Sequence, residues 1–336
     1  MTAYLNQTAK YDVLTVGNAI VDIIARAEDD FLVDNEITKG AMNLIDTDRA
    51  EHLYAAMGPA VEASGGSAGN TAAGIASLGG KAAYLGKVAD DHLGGVFTHD
   101  IRAIGCAFEA EPLKGGLPTA RSMIFVTPDG QRSMNTYLGA CTELSPSDVD
   151  GQMVADSAIT YFEGYLWDAP NAKAAIREAA RLAHEAGRKT AITLSDSFCV
   201  DRFRDEFLEL MRTGAVDIVF ANDSEVKVLY QTSDFFAALD ALQKDIPLAA
   251  VTRGEDGSSV VSADGIIHVD AETIDKLEDT TGAGDLYASG FLFGLTQGRS
   301  LEDCARIGGL AAAEVIQHIG PRPQVALKDL LAQSGI

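Results

Sequence analysis

The sequence predicts an α/β fold of three layers, α/β/α: a central, mostly parallel sheet with helices on both faces, and a small β lid at one edge. Three observations predict it. Apolar strand-like runs alternate with helical segments through the second half of the chain, the same rhythm opens the first half, and two segments break it with the alternation of hairpins. With 336 residues, 47% of them apolar, the chain can bury a sizeable core and is expected to form one domain over 1–336.

From Tyr11, the run Asp12-Val13-Leu14-Thr15-Val16 reads as a strand buried on both faces, ending in the turn residues Gly17-Asn18. A helix over Ala68 to Leu78 stops at Gly79-Gly80, and a short strand resumes over Ala82 to Gly86. Further on, Ala175, Ile176, Ala179, Leu182 and Ala183 share one face of a helix from Asn171 to Ala186, followed by a strand over Thr190 to Leu194. A helix over Asp201 to Arg212 leads to a strand over Asp217 to Ala221, and a helix over Asp234 to Gln243 leads to a strand over Leu248 to Thr252. Ligands of such a sheet bind beyond the carboxyl ends of its strands, so functional motifs should lie there. The segments Ile23 to Asp46 and Ala107 to Leu138, the latter with its Pro128-Asp129-Gly130 turn, read as short strands and hairpins. They are expected to build a lid from about 20–50 and 107–140.

Charge narrows the function. Twenty-six basic against forty-nine acidic residues leave a net charge of −23, the wrong sign for neutralising nucleic-acid phosphates or an anionic membrane. A phosphorylated ligand would have to be held locally, by backbone amides, a cation or a few basic side chains. Cys106, Cys141, Cys199 and Cys304 form no Cys-x-x-Cys pair and read as small buried hydrophobes, and the six histidines are scattered. Met1 to Lys10 is polar and no apolar run approaches membrane-spanning length, which points to a soluble, cytoplasmic protein.

Five motifs follow strands or open helices. Gly282-Ala283-Gly284-Asp285 precedes the helix-like run Leu286 to Leu295, so small residues let backbone N–H groups converge at the positive end of a helix dipole. Asp285 in the first turn would stay ionised and accept a proton from an attacking hydroxyl; the plainer alternative is an acid that merely suits a helix start. No Gly-Lys-Ser/Thr follows the glycines, so this is not a P-loop. Gly65-Gly66-Ser67-Ala68-Gly69-Asn70 opens the first long helix without the G-x-G-x-x-G spacing of dinucleotide sites, and Ser67 and Asn70 could bond a polyol. Asp22 stands among Ile20, Val21, Ile23 and Ile24, either bonded to a ligand or exposed at a lid hinge. Asn222 and Glu225 could organise water around Mg²⁺ or form an ordinary capping box. Thr252-Arg253-Gly254-Glu255-Asp256-Gly257 offers close backbone access to a nucleotide.

Together these residues resemble the ribokinase-like carbohydrate and nucleoside kinases, the PfkB family, over essentially the whole chain. Gly65 to Gly79 and Asp279 to Asp285 are similar to its two signatures. The resemblance implies a ribokinase-like fold, with ATP and Mg²⁺ as cofactors. It makes Asp285 the catalytic base, and the amides of Gly282, Ala283 and Gly284 an anion hole. Asn222 and Glu225 would lie near Mg²⁺, and Thr252, Gly254 and Gly257 in the nucleotide loop. In some members a monovalent cation, K⁺, sits near positions matching Asp279 and Thr281. Within the family the likeness is to adenosine kinases, which implies Asn18, Asp22, Gly65, Gly66, Ser67, Asn70 and the lid residue Arg132 around the nucleoside, with Tyr165, Leu166 and Phe198 at its base. Phe198 could equally be core. Gly309 stands where animal adenosine kinases often carry a His beside the base of ATP. The activity implied is phosphorylation of the 5′-hydroxyl of adenosine to AMP, a purine-salvage step, with a sugar kinase acting on ribose, fructose or a related carbohydrate as the alternative. Either a monomer or a homodimer fits.

Overall fold

The computed structural model describes residues 9–336; the polar stretch read at Met1 to Lys10 lies, for residues 1–8, outside them. In chain order the strands are β1 (Tyr11–Val16), β2 (Ile20–Arg26), β3 (Met42–Leu44), β4 (Ala60–Ser64), β5 (Ala82–Leu85), β6 (Ala120–Val126), β7 (Arg132–Tyr137), β8 (Ser157–Glu163), β9 (Lys189–Thr193), β10 (Ile218–Asn222), β11 (Leu248–Thr252), β12 (Ser258–Ser262) and β13 (Gly265–Val269). Eight form the main sheet, in the order β13-β12-β11-β10-β9-β8-β1-β5. All neighbours from β5 through β11 are parallel, and β12 and β13 close the edge antiparallel.

Alternation along the strands divides the core between the two faces. Leu14, Val16, Phe162, Ile192 and Val219 share one cluster with Ala175, Ile176 and Ala179 of the helix Pro170–Glu185 and with Phe207 of the helix Ser197–Arg212. Val13, Tyr161, Ile218 and Phe220 share the other with Ala68, Ala72 and Ile75 of the helix Ser67–Ser77 and with Tyr287, Phe291 and Leu292 of the helix Ala283–Thr296. The four cysteines are buried and unpaired. The helix expected from Asp201 begins earlier, at Ser197, because Asp196 caps it by accepting from Cys199 N at 2.7 Å; the backbone breaks at Phe203.

Only Gly17-Asn18-Ala19 separates β1 from β2, so the chain steps from the main sheet into the second one within three residues. This second sheet has the order β3-β7-β6-β2-β4. Its first segment is not made of strands alone, since the helix Asp29–Asp34 stands between β2 and β3. Its fifth strand, β4, lies between the two segments expected for the lid, outside both, and pairs antiparallel with β2. Here too the period of two decides function. Met123 and Phe125 of β6 pack outward against Leu32 and Leu53, while Ser122 and Ile124 face the cleft beneath, as do Asp22 of β2 and Arg132, Met134 and Thr136 of β7.

Candidate active site

Between the sheets lies a cleft of about 770 Å³, the size of a small-molecule site. Its floor is the start of the helix Ala283–Thr296. Gly282 takes the left-handed φ of +82°, and a Cβ there would lie 2.7 Å from Pro321 O, so only glycine fits. Ala283 N donates to Thr280 O at 3.2 Å, which closes a turn and leaves the Gly282 and Gly284 amides as the open members of the expected anion hole.

Asp285 in the first turn accepts from Ser67 Oγ at 2.6 Å and from Asn70 Nδ2 at 3.0 Å. Burial pushes its pKa up to about 6 while these two bonds pull it down, so the carboxylate outweighs the acid by roughly tenfold at pH 7. Ser67 and Asn70, expected to stand free for substrate hydroxyls, are instead turned onto the acid and orient it. Gly65 and Gly66 let their turn press on the step from β1 into β2: a Cβ at Gly65 would sit 2.5 Å from the Asp22 carboxyl carbon, and one at Gly66, whose φ is +82°, would overlap Asn18 O.

Asp22 is not exposed at a hinge. Its carboxylate points into the cleft with no hydrogen-bond partner among the described residues, and burial raises its pKa to about 6 against the pull of Arg132 and Arg322. Free acceptor oxygens facing a cleft suit vicinal hydroxyl groups. Asn18 donates through Nδ2 to Glu163 Oε1 at 2.9 Å, and Ala68 N donates to Glu163 Oε2 at 3.0 Å. Glu163, at the end of the wholly buried β8, has a pKa raised to about 7, by burial first and by the neighbouring Asp285 charge among the lesser causes. Sequence reasoning missed it; the available signal was a Glu ending an otherwise apolar strand.

Arg132 joins the lid to the floor through Nη1, which donates to Asp279 Oδ2 at 2.6 Å. Its Nε and Nη2 are buried without partners among the described residues, donors left over for an anion in the cleft. Gly320 N also donates to Asp279 Oδ2, and Thr281 N and Oγ1 both donate to Oδ1. Against the upward push of burial, these bonds hold Asp279 below the usual carboxylate range. All four acceptor positions of Asp279 are thus in use, so the carboxylate expected beside K⁺ is committed to the protein.

Asn222 and Glu225 form the capping box: Glu225 N donates to Asn222 Oδ1 at 2.9 Å and Asn222 N to Glu225 Oε2 at 3.0 Å. Both also line the cleft. Burial, then the charge of Asp196, raises the Glu225 pKa to about 7, and its oxygens each keep a lone pair for a hydrated cation, so the pair fits Mg²⁺ held through water. Thr252 and Thr281 line the cleft, whereas Gly254, Gly257 and Gly309 do not. Gly257 packs its backbone on Val269 and Ala271, and Gly309 faces Glu272.

At the mouth, Tyr165 donates from N to Ser195 Oγ at 3.1 Å and from its hydroxyl to Ser195 O at 3.4 Å; Leu166 is buried in the core instead. Phe198 is 81% exposed and lines the opening, which excludes a core role. No helix of the described residues is long and apolar enough to cross a membrane.

The pattern of the pfkB family carbohydrate kinases matches residues 40–326. The chain is 67% identical to the solved adenosine kinase of Sinorhizobium meliloti, with a TM-score of 0.91 and coverage of 97% of this chain and 100% of that one. It is 62% identical to a probable sugar kinase of Rhizobium etli CFN 42, with a TM-score of 0.92 and coverage of 98% and 99%. Among curated relatives, the ATP-dependent ribose-1-phosphate kinase of Halopiger xanaduensis is 30% identical over 82% of this chain and 91% of its own, and the adenosine kinase of Saccharomyces cerevisiae 26% over 92% and 95%.

Proposed function

The chain belongs to the pfkB family of carbohydrate kinases and is a phosphotransferase with an alcohol acceptor; on that premise we propose that its acceptor is adenosine, phosphorylated on the 5′-hydroxyl to AMP. The observation that carries the reading is the convergence of Asp285, the open amides of Gly282 and Gly284, and the free carboxylate of Asp22 in one cleft. Asp22 accepts from the ribose hydroxyls and so fixes the nucleoside. Asp285, aimed by Ser67 and Asn70, accepts the 5′-hydroxyl proton as the new O–P bond forms and the bond to the β-phosphate oxygen breaks, releasing ADP. The Gly282 and Gly284 amides, the helix dipole and the spare Arg132 donors hold negative charge on the transferred group. Mg²⁺, carried near Asn222 and Glu225, would supply further charge neutralisation. The lid excludes water. Tyr165 and Phe198 at the mouth offer apolar faces to a base, as a nucleoside requires and a free sugar does not.

The Rhizobium etli and Halopiger xanaduensis relatives keep a carbohydrate acceptor as the competing reading. ADP release with adenosine, inosine, ribose, fructose and ribose 1-phosphate decides between them. Adenosine should give the highest kcat/KM; turnover of a sugar with none of adenosine would overturn the proposal.

A further inference from the structure

Three consecutive residues of the segment after the helix Leu301–Val315 touch the site. Gly320 N donates to Asp279 Oδ2 at 3.1 Å, Pro321 closes on Gly282, and Arg322 reaches beneath the sugar-side residues. Arg322 Nη1 donates to Ser64 Oγ at 2.7 Å, and Nε faces Asn70 Oδ1 at 3.5 Å. Its Nη2 is buried with no partner among the described residues. A guanidinium placed there is expensive unless carboxylates stand close, and two do: Asp22 from β2, and Asp100, which also accepts from Ser64 N at 3.0 Å.

We infer that Arg322 is a positioning residue of the phosphoryl-transfer site, coupling the acceptor-binding Asp22 to the base Asp285 through the side chain of Asn70. An asparagine amide has one accepting and one donating end. A cation at Oδ1 fixes which end is which, so Nδ2 is the group presented to Asp285, at 3.0 Å. The charge of Arg322 also acts on Asp22, together with that of Arg132 of β7; Arg322 in turn is faced by Asp22, Asp100, Tyr84 and Cys106. Arg322 therefore favours the ionised form of Asp22 while it orients the group that orients the base. A plain anchor for the C-terminal segment would do neither.

The inference rests on the roles of Asp22 and Asp285 proposed above, and the test separates the two. With Arg322→Gln, kcat/KM for the acceptor should fall by about tenfold or more while the KM for ATP changes by less than about twofold. The acidic limb of kcat/KM should move to higher pH, because losing the cation disfavours the Asp22 carboxylate. Arg322→Lys keeps the charge but not the two-pronged donor set, so its limb should stay near that of the parent while kcat falls. If Arg322→Gln does not fold, Arg322→Lys carries the test in a cycle with Asn70→Ala. Non-additive kcat losses support the coupling and additive losses overturn it. Equal changes in both KM values with an unmoved limb reduce Arg322 to an anchor and overturn the inference alone. An Asp22→Ala variant with unchanged acceptor KM would overturn the underlying site reading as well.

Discussion

The floor and the mouth of the cleft are built by opposite rules. On the floor, Asp285, Ser67, Asn70, Asn18 and Glu163 are each fixed by side-chain or backbone partners at 2.6 to 3.0 Å. At the mouth, Phe198 is 81% exposed, and Met42 and Leu44 on the edge strand β3 are 43% and 52% exposed. Groups that manage charge are oriented before substrate arrives, where reorganisation during the reaction would be most damaging. The apolar groups at the mouth wait in water, to be covered when a ligand supplies the missing surface; on the proposal above, they distinguish a nucleoside from a free sugar once Asp22 has bound the hydroxyls. The floor should therefore govern turnover and the mouth choice of substrate.

The largest effect that can break this division comes from Asp285→Asn. It preserves shape but removes the base, and turnover should fall by about 10²–10⁴-fold, with ATP binding retained in calorimetry. Near-normal turnover would sink the assignment. The same variant exposes a stability cost of the prepared floor. The folded pKa of Asp285, about 6, lies above its ordinary value of 3.8, so its contribution to stability is fully present below pH 3.8 and lost as pH rises through 6. Asp285→Asn should therefore melt higher than the parent at pH 8 and lose that advantage at pH 4.

Next in size is Asp22→Ala, which removes charged acceptors of the kind worth about 1.5–3 kcal/mol per hydrogen bond, or roughly 10–100-fold in acceptor KM. The KM for ATP should hardly move; equal shifts in both constants would take Asp22 out of the acceptor site. A smaller, graded effect follows from pH. Asp22 and Asp285 must both be ionised, and both have values near 6, so kcat/KM should fall steeply below pH 6. A flat profile from pH 7 to 5 would contradict the prepared floor.

How far the sequence revealed these regions depends on the range of the interactions involved. The parallel sheet was legible because strands such as Leu248 to Thr252 are buried on both faces and read as unbroken apolar runs. The turn at Gly282 and the acid after it were legible because a left-handed glycine and a first-turn carboxylate are local requirements. Glu163 was not, since a Glu after an apolar run looks like the start of a solvated loop until Asn18, just past the neighbouring strand β1, and Ala68 of the helix Ser67–Ser77, both far away in sequence, are brought to it. Arg322 sits between two prolines and reads as tail, and its partners Ser64 and Asn70 are far away in sequence. β4 was missed for a related reason: its strand character comes from pairing with β2 rather than from its own alternation. Asn222 and Glu225 show the converse, a short motif whose capping box is visible in the sequence, while only its place on the cleft supports the Mg²⁺ role proposed for the same side chains.

The smallest expected effect is also the sharpest test of the mouth. Phe198 stacks on no other ring among the described residues and exposes most of its surface, so Phe198→Ala should leave the melting temperature nearly unchanged. If the ring covers a purine, its loss removes stacking worth about 0.5–1.5 kcal/mol together with buried area, and adenosine KM should rise by roughly tenfold. A free sugar does not reach that surface, so any residual turnover of ribose or fructose should be unaffected. A variant that weakens sugars and adenosine alike would mean that Phe198 acts on closure of the lid rather than on the base, and the mouth would then share the role assigned to the floor.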